Sequence, residues 1–333
     1  MRLLKSLTLL LLIMLSLSPV LDASELKIVN IGDFETTGGD IIKDTRLAYR
    51  TLGTLNTDKT NVVLWPTWFT GTSEDVLTSG MLVKTLDTRG LYVVIVDALA
   101  NGVSSSPSNT EQFPDITIRD MVNSQHQLLV EQLGIKHVRA IIGMSMGGLQ
   151  TYEWLVSYPD FMDKAIPIEG TPKLSSFDVL VWQTQIDLLS HAKADSAGLD
   201  FALKKAYDIF YMNLTTPTDF ARRLSASDVH KYMAKKYDNM IDARDYLASM
   251  KAMMQHNIYK SANRDMTNIK QVIKADVLTI VSESDHLVNP INSIALANVL
   301  GAKALLLTGI KGHMAAFIQT QRILAATTAF LKE

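Results

Sequence analysis

The sequence has no cysteine in its 333 residues. That absence excludes disulfide bonds, a cysteine nucleophile and a lipoprotein anchor. A charge surplus is missing as well: 32 Lys and Arg face 34 Asp and Glu, for a formal net charge of -2. The basic residues are scattered, which excludes a nucleic-acid footprint as a partner surface. Seven histidines lack the spacing of a zinc-ligand set with nearby acids, so the expected chemistry uses neither a metal nor a bound cofactor. Beyond the amino terminus no apolar run resembles a transmembrane helix, and no internal repeat or low-complexity tract occurs.

What is present points to a large core. Apolar residues make up 47% of the chain and charged residues only 20%, which suits one catalytic domain with a sizeable insertion. At the amino terminus Arg2 and Lys5 precede the apolar stretch Leu7 to Val20, and Asp22-Ala23-Ser24 follows. This order predicts an export signal over residues 1–23 with cleavage near Ala23, although Leu21 is larger than usual two positions earlier. A retained anchor is the alternative, but the segment is short for a bilayer. The expected product is a periplasmic or secreted domain with no stable membrane span after signal removal.

Periodicity then divides the rest. Patches at 26–34 and 45–52 predict an opening antiparallel pair. Short apolar runs at Val62 to Trp65, Leu91 to Val96, Val138 to Ile142 and Ala165 to Ile168 read as buried strands, with helical spacing over Ile118 to Leu133 between two of them. Alternation of this kind predicts an α/β fold with a mostly parallel central sheet covered on both faces. From Ser175 to Asn263 helical segments dominate, among them Asp178 to Leu189, Asp200 to Tyr211 and Ala243 to His256. We therefore expect a core in two parts, 24–172 and 265–333, around an inserted helical cap at 173–264. Met233, Met240, Met250, Met253 and Met254 lie on the cap's apolar faces, where helix packing is the plainer role and a substrate entrance the sharper one. Strands resume at Val277 to Val281 and Ala304 to Leu307, with a helix over Asn292 to Leu300 and a final one over Ala315 to Leu331.

The chemistry-bearing stretch is Gly143-Met144-Ser145-Met146-Gly147, set between a buried strand and a helical pattern. Glycines two before and two after Ser145 permit a tight turn that holds a hydroxyl above a sheet, and Gly148 lets the new helix start close to neighbouring backbone. A serine hydroxyl needs a base. His313, on a loop after the last strand, is the candidate, and Asp285, in the loop after Val277 to Val281, is the candidate that orients it. Glu169 and Glu283 compete for that third position. His286 reads as a packing residue, and His126 and His137 as helix or connector residues. Met146 N–H and an N–H from the loop after Val62 to Trp65, at Phe69 ahead of Trp68, are expected to form an oxyanion hole. Trp68 and Met144 are expected to touch substrate.

At these residues the sequence resembles the homoserine O-acetyltransferase branch of the α/β-hydrolase superfamily. The resemblance rests on Phe113-Pro-Asp-Ile-Thr-Ile-Arg-Asp-Met121, Leu133-Gly-Ile135, Gly143-Met-Ser-Met-Gly-Gly-Leu-Gln150, Trp154 and Tyr158-Pro159. It implies an α/β-hydrolase fold, an acyl group carried on Ser145, proton transfer by His313, orientation by Asp285, oxyanion donors at Phe69 and Met146, and a homodimer through the cap. The pattern departs from that branch at Asn101-Gly-Val-Ser-Ser-Ser-Pro107, in the early cap, which lacks the branch's arginine-bearing segment, and at Met314 after the histidine. With export away from acetyl-coenzyme A, these departures favour water as the acyl acceptor. The expected activity is hydrolysis of a small acyl ester or thioester; O-acyl transfer to a small hydroxyl acceptor, with acetyl-coenzyme A as donor substrate, is the alternative, followed by a noncatalytic binding protein.

Overall fold

The computed structural model describes residues 25–193 and 196–333, so the expected export signal lies outside the described residues. Eight strands form the main sheet: β1 (Lys27–Asn30), β2 (Arg46–Leu52), β3 (Val62–Pro66), β4 (Tyr92–Val96), β5 (Val138–Met144), β6 (Met162–Ile168), β7 (Asp276–Ser282) and β8 (Lys303–Leu307). Their spatial order is β1-β2-β4-β3-β5-β6-β7-β8. β2 pairs antiparallel with β1 and β4, whereas the pairs from β4 through β8 are parallel. The expected opening pair is there, with Lys27 opposite Tyr49. Central strands built from Val, Ile and Leu are buried on both faces, which is why they read as continuous apolar runs.

Two cores flank the sheet, and alternate residues serve each. Leu64, Val94, Val96 and Ile141 face one core; Val63, Trp65, Val93, Ile95 and Ile142 face the other. The helices that matter to the site are α1 (Ile118–Gln127), α2 (Met146–Ser157), α3 (Ser176–Ser190), α4 (Ser196–Leu214), α5 (Pro217–Arg223), α6 (Val229–Tyr237), α7 (Ala243–Met254), α8 (Ile291–Leu300) and α9 (Thr320–Lys332). Helices α3 to α7 enter between β6 and β7, as the inserted helical pattern predicts. α1 and α3 start at capping boxes, Thr117 with Asp120 and Ser175 with Asp178.

Two helices differ from expectation. The segment predicted as one helix to Leu133 turns π-helical over Leu128–Gln132. The last one breaks at Gln319, which leaves helical backbone geometry (φ -98°, ψ 34°) while its side-chain Nε2 donates to the Thr308 carbonyl, so α9 begins only at Thr320. Among the described residues no helix is long and apolar enough to cross a membrane.

Candidate active site

The site forms where β5, β6 and β7 end. Ser145 sits between β5 and α2 with φ 56° and ψ -121°, a conformation that costs a non-glycine residue energy and persists only where its surroundings enforce it. Those surroundings are close backbone contacts. A Cβ on Gly148 would lie 2.8 Å from Gly170 Cα, and one on Gly143 would lie 2.1 Å from the Gly147 carbonyl oxygen. The glycines are therefore required by close approach, and α2 begins directly beneath the serine. Ser145 N–H donates to the Ile168 carbonyl at 2.9 Å, fastening the turn to the end of β6.

Three residues distant in sequence meet here. Ser145 Oγ is 2.8 Å from His313 Nε2, and His313 Nδ1 is 2.6 Å from Asp285 Oδ2. The other Asp285 oxygen, Oδ1, accepts the N–H groups of Leu287 at 2.8 Å and Val288 at 2.9 Å. These bonds hold the carboxylate, which leaves Nδ1 as the nitrogen that donates and Nε2 as the one that accepts from the hydroxyl. His313 and Asp285 are buried and Ser145 is partly exposed, so the hydroxyl is the end of this hydrogen-bonded chain that faces outward.

The competing acids are elsewhere. Glu283 is exposed and accepts Gly309 N–H at 2.9 Å. Glu169 is buried and its Oε1 accepts Ala316 N–H at 3.0 Å, with no bond to the imidazole. Burial, and secondarily the charge of Asp285, push the Glu169 carboxyl well above the ordinary range. His286 lies edge-on to Phe177, His126 stacks on Tyr158 at 3.9 Å, and His137 bonds Asp163 at 2.9 Å.

A tight cavity of about 10 Å³ opens on Ser145. Its other walls are Phe69, Trp182, Gln185, Phe210, Met250, Met253 and Leu287, all uncharged. Phe69 packs edge-on to Tyr246 at 4.7 Å and stacks on Trp182 at 6.5 Å, joining the loop after β3 to the inserted helices. The amide hydrogens of Phe69 and Met146 have no acceptor among the described residues, and Met146 N–H is the first of the unpaired donors at the start of α2. Negative charge is favoured at that helix end.

Met144 and Trp68 do not line this pocket, contrary to expectation. Met144 is on β5 one residue from Ser145, and strand alternation sends its side chain into the opposite core beside Ile142 and Ile168. Trp68 packs against that same core, edge-on to Phe317 at 6.0 Å. Sequence reasoning also missed a buried amide chain. Trp154 Nε1 donates to Gln125 Oε1 at 3.0 Å, Gln125 Nε2 to Gln150 Oε1 at 2.5 Å, and Gln150 Nε2 to the Thr67 carbonyl at 3.0 Å. It ties α1 and α2 to the loop that carries Phe69. Two glutamines inside otherwise apolar helix faces were the available signal.

Over 183 residues the chain is 37% identical to an ethyl acetate hydrolase of Pseudomonas veronii, a match covering 52% of this chain and 52% of that protein. The matches to the first curated esterase relatives thus span about half of their length. It is 28% identical over 298 residues to a homoserine O-acetyltransferase of Trichormus variabilis, covering 80% of this chain and 82% of that one. Both kinds of relative recur, so the resemblance to the acetyltransferase branch is shared with esterases. A solved acetylester hydrolase from Corynebacterium glutamicum superposes with a TM-score of 0.84 at 24% identity, covering 93% of this chain and 96% of that one, a likeness of fold. The model of the alpha/beta hydrolase fold matches residues 61–319, and the chain belongs to that family.

Proposed function

We propose that the chain is a serine hydrolase that cleaves small uncharged acyl esters or thioesters through an acyl-Ser145 intermediate. The observation that carries this reading is the Ser145–His313–Asp285 relay at the mouth of an uncharged, largely apolar pocket. Ser145 Oγ attacks the carbonyl carbon as His313 Nε2 takes its proton. The oxyanion forms beside the amide hydrogens of Met146 and Phe69. His313 returns the proton to the leaving alcohol or thiol, whose bond to carbon breaks. Water then attacks the acyl-serine, His313 takes a water proton, the acid departs and Ser145 regains its hydrogen. Asp285 orients the imidazole and stabilises its charged form.

Pocket chemistry favours water over an amino-acid alcohol as acceptor. Homoserine carries a carboxylate and an ammonium group, and burying either without a partner costs several kcal/mol, on the order of the whole binding energy of a small substrate. None of the pocket residues supplies a compensating charge. The second reading, O-acyl transfer, draws support from the acetyltransferase relative, whose match covers 82% of that protein.

On this reading α3 to α7 cap Ser145, and the chain is exported with removal of residues 1–23. A homodimer through the cap is in keeping with Leu180, Phe201 and Met212, which are 66%, 63% and 62% exposed on α3 and α4. Product analysis on ethyl and phenyl acetate tests the activity. Acid release that needs no added alcohol supports hydrolysis; turnover only with a hydroxyl acceptor, yielding its ester, favours the transferase.

A further inference from the structure

The turn that ends β6 contacts every segment of the relay. Ile168 carbonyl receives Ser145 N–H, and Glu169 N–H donates to the Ile280 carbonyl of β7 at 2.7 Å, on the strand that leads to Asp285. Gly170 backs onto Gly148, and its carbonyl accepts Ser293 Oγ of α8 at 2.7 Å. Glu169 itself has φ 48°, unusual for a residue with a Cβ, and its side chain runs to Ala316 N–H, three residues beyond His313. A glutamate here is costly. It is buried, its Oε2 has no partner among the described residues, and no Lys, Arg or His pairs with it there. A role in packing alone would be met by an apolar side chain without that penalty.

We propose that Glu169 is a positioning residue that works in its neutral form, holding the His313 segment to the end of β6 without placing a second charge beside Asp285. The proposal rests on the serine-hydrolase reading. The groups that face Glu169 are the Asp285 carboxylate from the loop after β7, the Ile280 carbonyl of β7, which accepts the Glu169 backbone N–H, and Ala316 N–H from the histidine segment. Burial outweighs the single accepted hydrogen bond and the Asp285 charge acts in the same direction, so both raise the Glu169 carboxyl pKa and favour its neutral form. An ionised Glu169 would add negative charge near the His313–Asp285 pair and favour the imidazolium, which cannot accept the Ser145 proton.

Two variants separate this role from bulk packing. Glu169→Gln is neutral and keeps a carbonyl acceptor for Ala316 N–H. We expect it to hold kcat/KM within about threefold, with the acidic limb of the kcat/KM profile moving by less than ~0.3 pH unit. A downward move beyond that would mean that a charge had been removed, and overturns the proposal; so does a larger loss of kcat/KM. Glu169→Ala frees Ala316 N–H and should lower kcat about tenfold or more with KM little changed, and slow Ser145 modification by a phosphonate probe in proportion. Unchanged phosphonate reactivity in a folded Glu169→Ala overturns it. If that variant does not fold, the glutamine profile alone decides. Failure of the wild-type protein to react with phosphonate would instead count against the hydrolase reading.

Discussion

His313 Nε2 lies 2.8 Å from Ser145 Oγ although 168 residues separate them in the chain. That contact requires β5 and the loop after β8 to reach the same edge of the sheet, with β6 and β7 between them. Parallel strands deliver it, because their carboxyl ends gather at one edge and the loops that leave them become neighbours.

Asp285→Asn should leave the fold intact, since Oδ1 can keep the Leu287 and Val288 N–H groups. The amide removes the carboxylate that selects the imidazole tautomer. Kinetics on phenyl acetate should show kcat down by about 10⁴-fold with KM little changed, and His313→Ala should lose at least as much. Turnover within a few-fold of wild type in either variant would remove that residue from the mechanism.

Gly148→Ala tests whether the elbow is set by packing. The added methyl would meet Gly170 Cα at 2.8 Å, where only backbone can give way. Thermal or urea unfolding should report a loss of about 1–3 kcal/mol, and activity should fall as the turn shifts. A variant as stable as the parent would mean that the helix has room that the contacts deny.

Met250 and Met253 on α7 form part of the pocket wall. Met253→Ala should therefore raise the hexanoate-to-acetate ratio of kcat/KM by about tenfold. An unchanged ratio would place the acyl chain elsewhere.

Much of this was legible from sequence because two signals were local. Continuous apolar runs marked the buried strands, and glycines around Ser145 marked the turn. Met144 was misassigned although strand alternation, applied strictly, sends it away from Ser145. Trp182, Gln185 and Phe210 were not legible as pocket walls, since they reach the site only when α3 and α4 dock over it. The Gln125–Gln150 contact depends likewise on two helices meeting, which no spacing within either one encodes.

His256 supplies a pH test on stability. It is buried, its Nε2 is 3.0 Å from the Thr171 carbonyl, and burial pushes its pKa down from 6.5 to about 4. The unfolded chain therefore binds a proton that the folded one refuses between those values. The stability due to neutral His256 is complete above pH 6.5 and is lost as pH falls towards 4, on the order of 3 kcal/mol in all. Glu153, whose Oε2 is 3.9 Å from His256 Nδ1, has the opposite slope, because burial raises its pKa and the folded state takes up its proton more readily. Comparing wild type with His256→Gln by urea unfolding from pH 7 to pH 4 isolates the histidine. The advantage of wild type should shrink as pH falls; an advantage that grows would reverse the assignment.

The most direct measurement is intact mass spectrometry of the enzyme quenched during turnover of an acetyl ester, followed by peptide mapping. The account predicts a transient gain of one acetyl group on the peptide that carries Ser145, absent from Ser145→Ala, whose fold should be unchanged. An acyl group on any other residue, or equal acylation and turnover in Ser145→Ala, would contradict it.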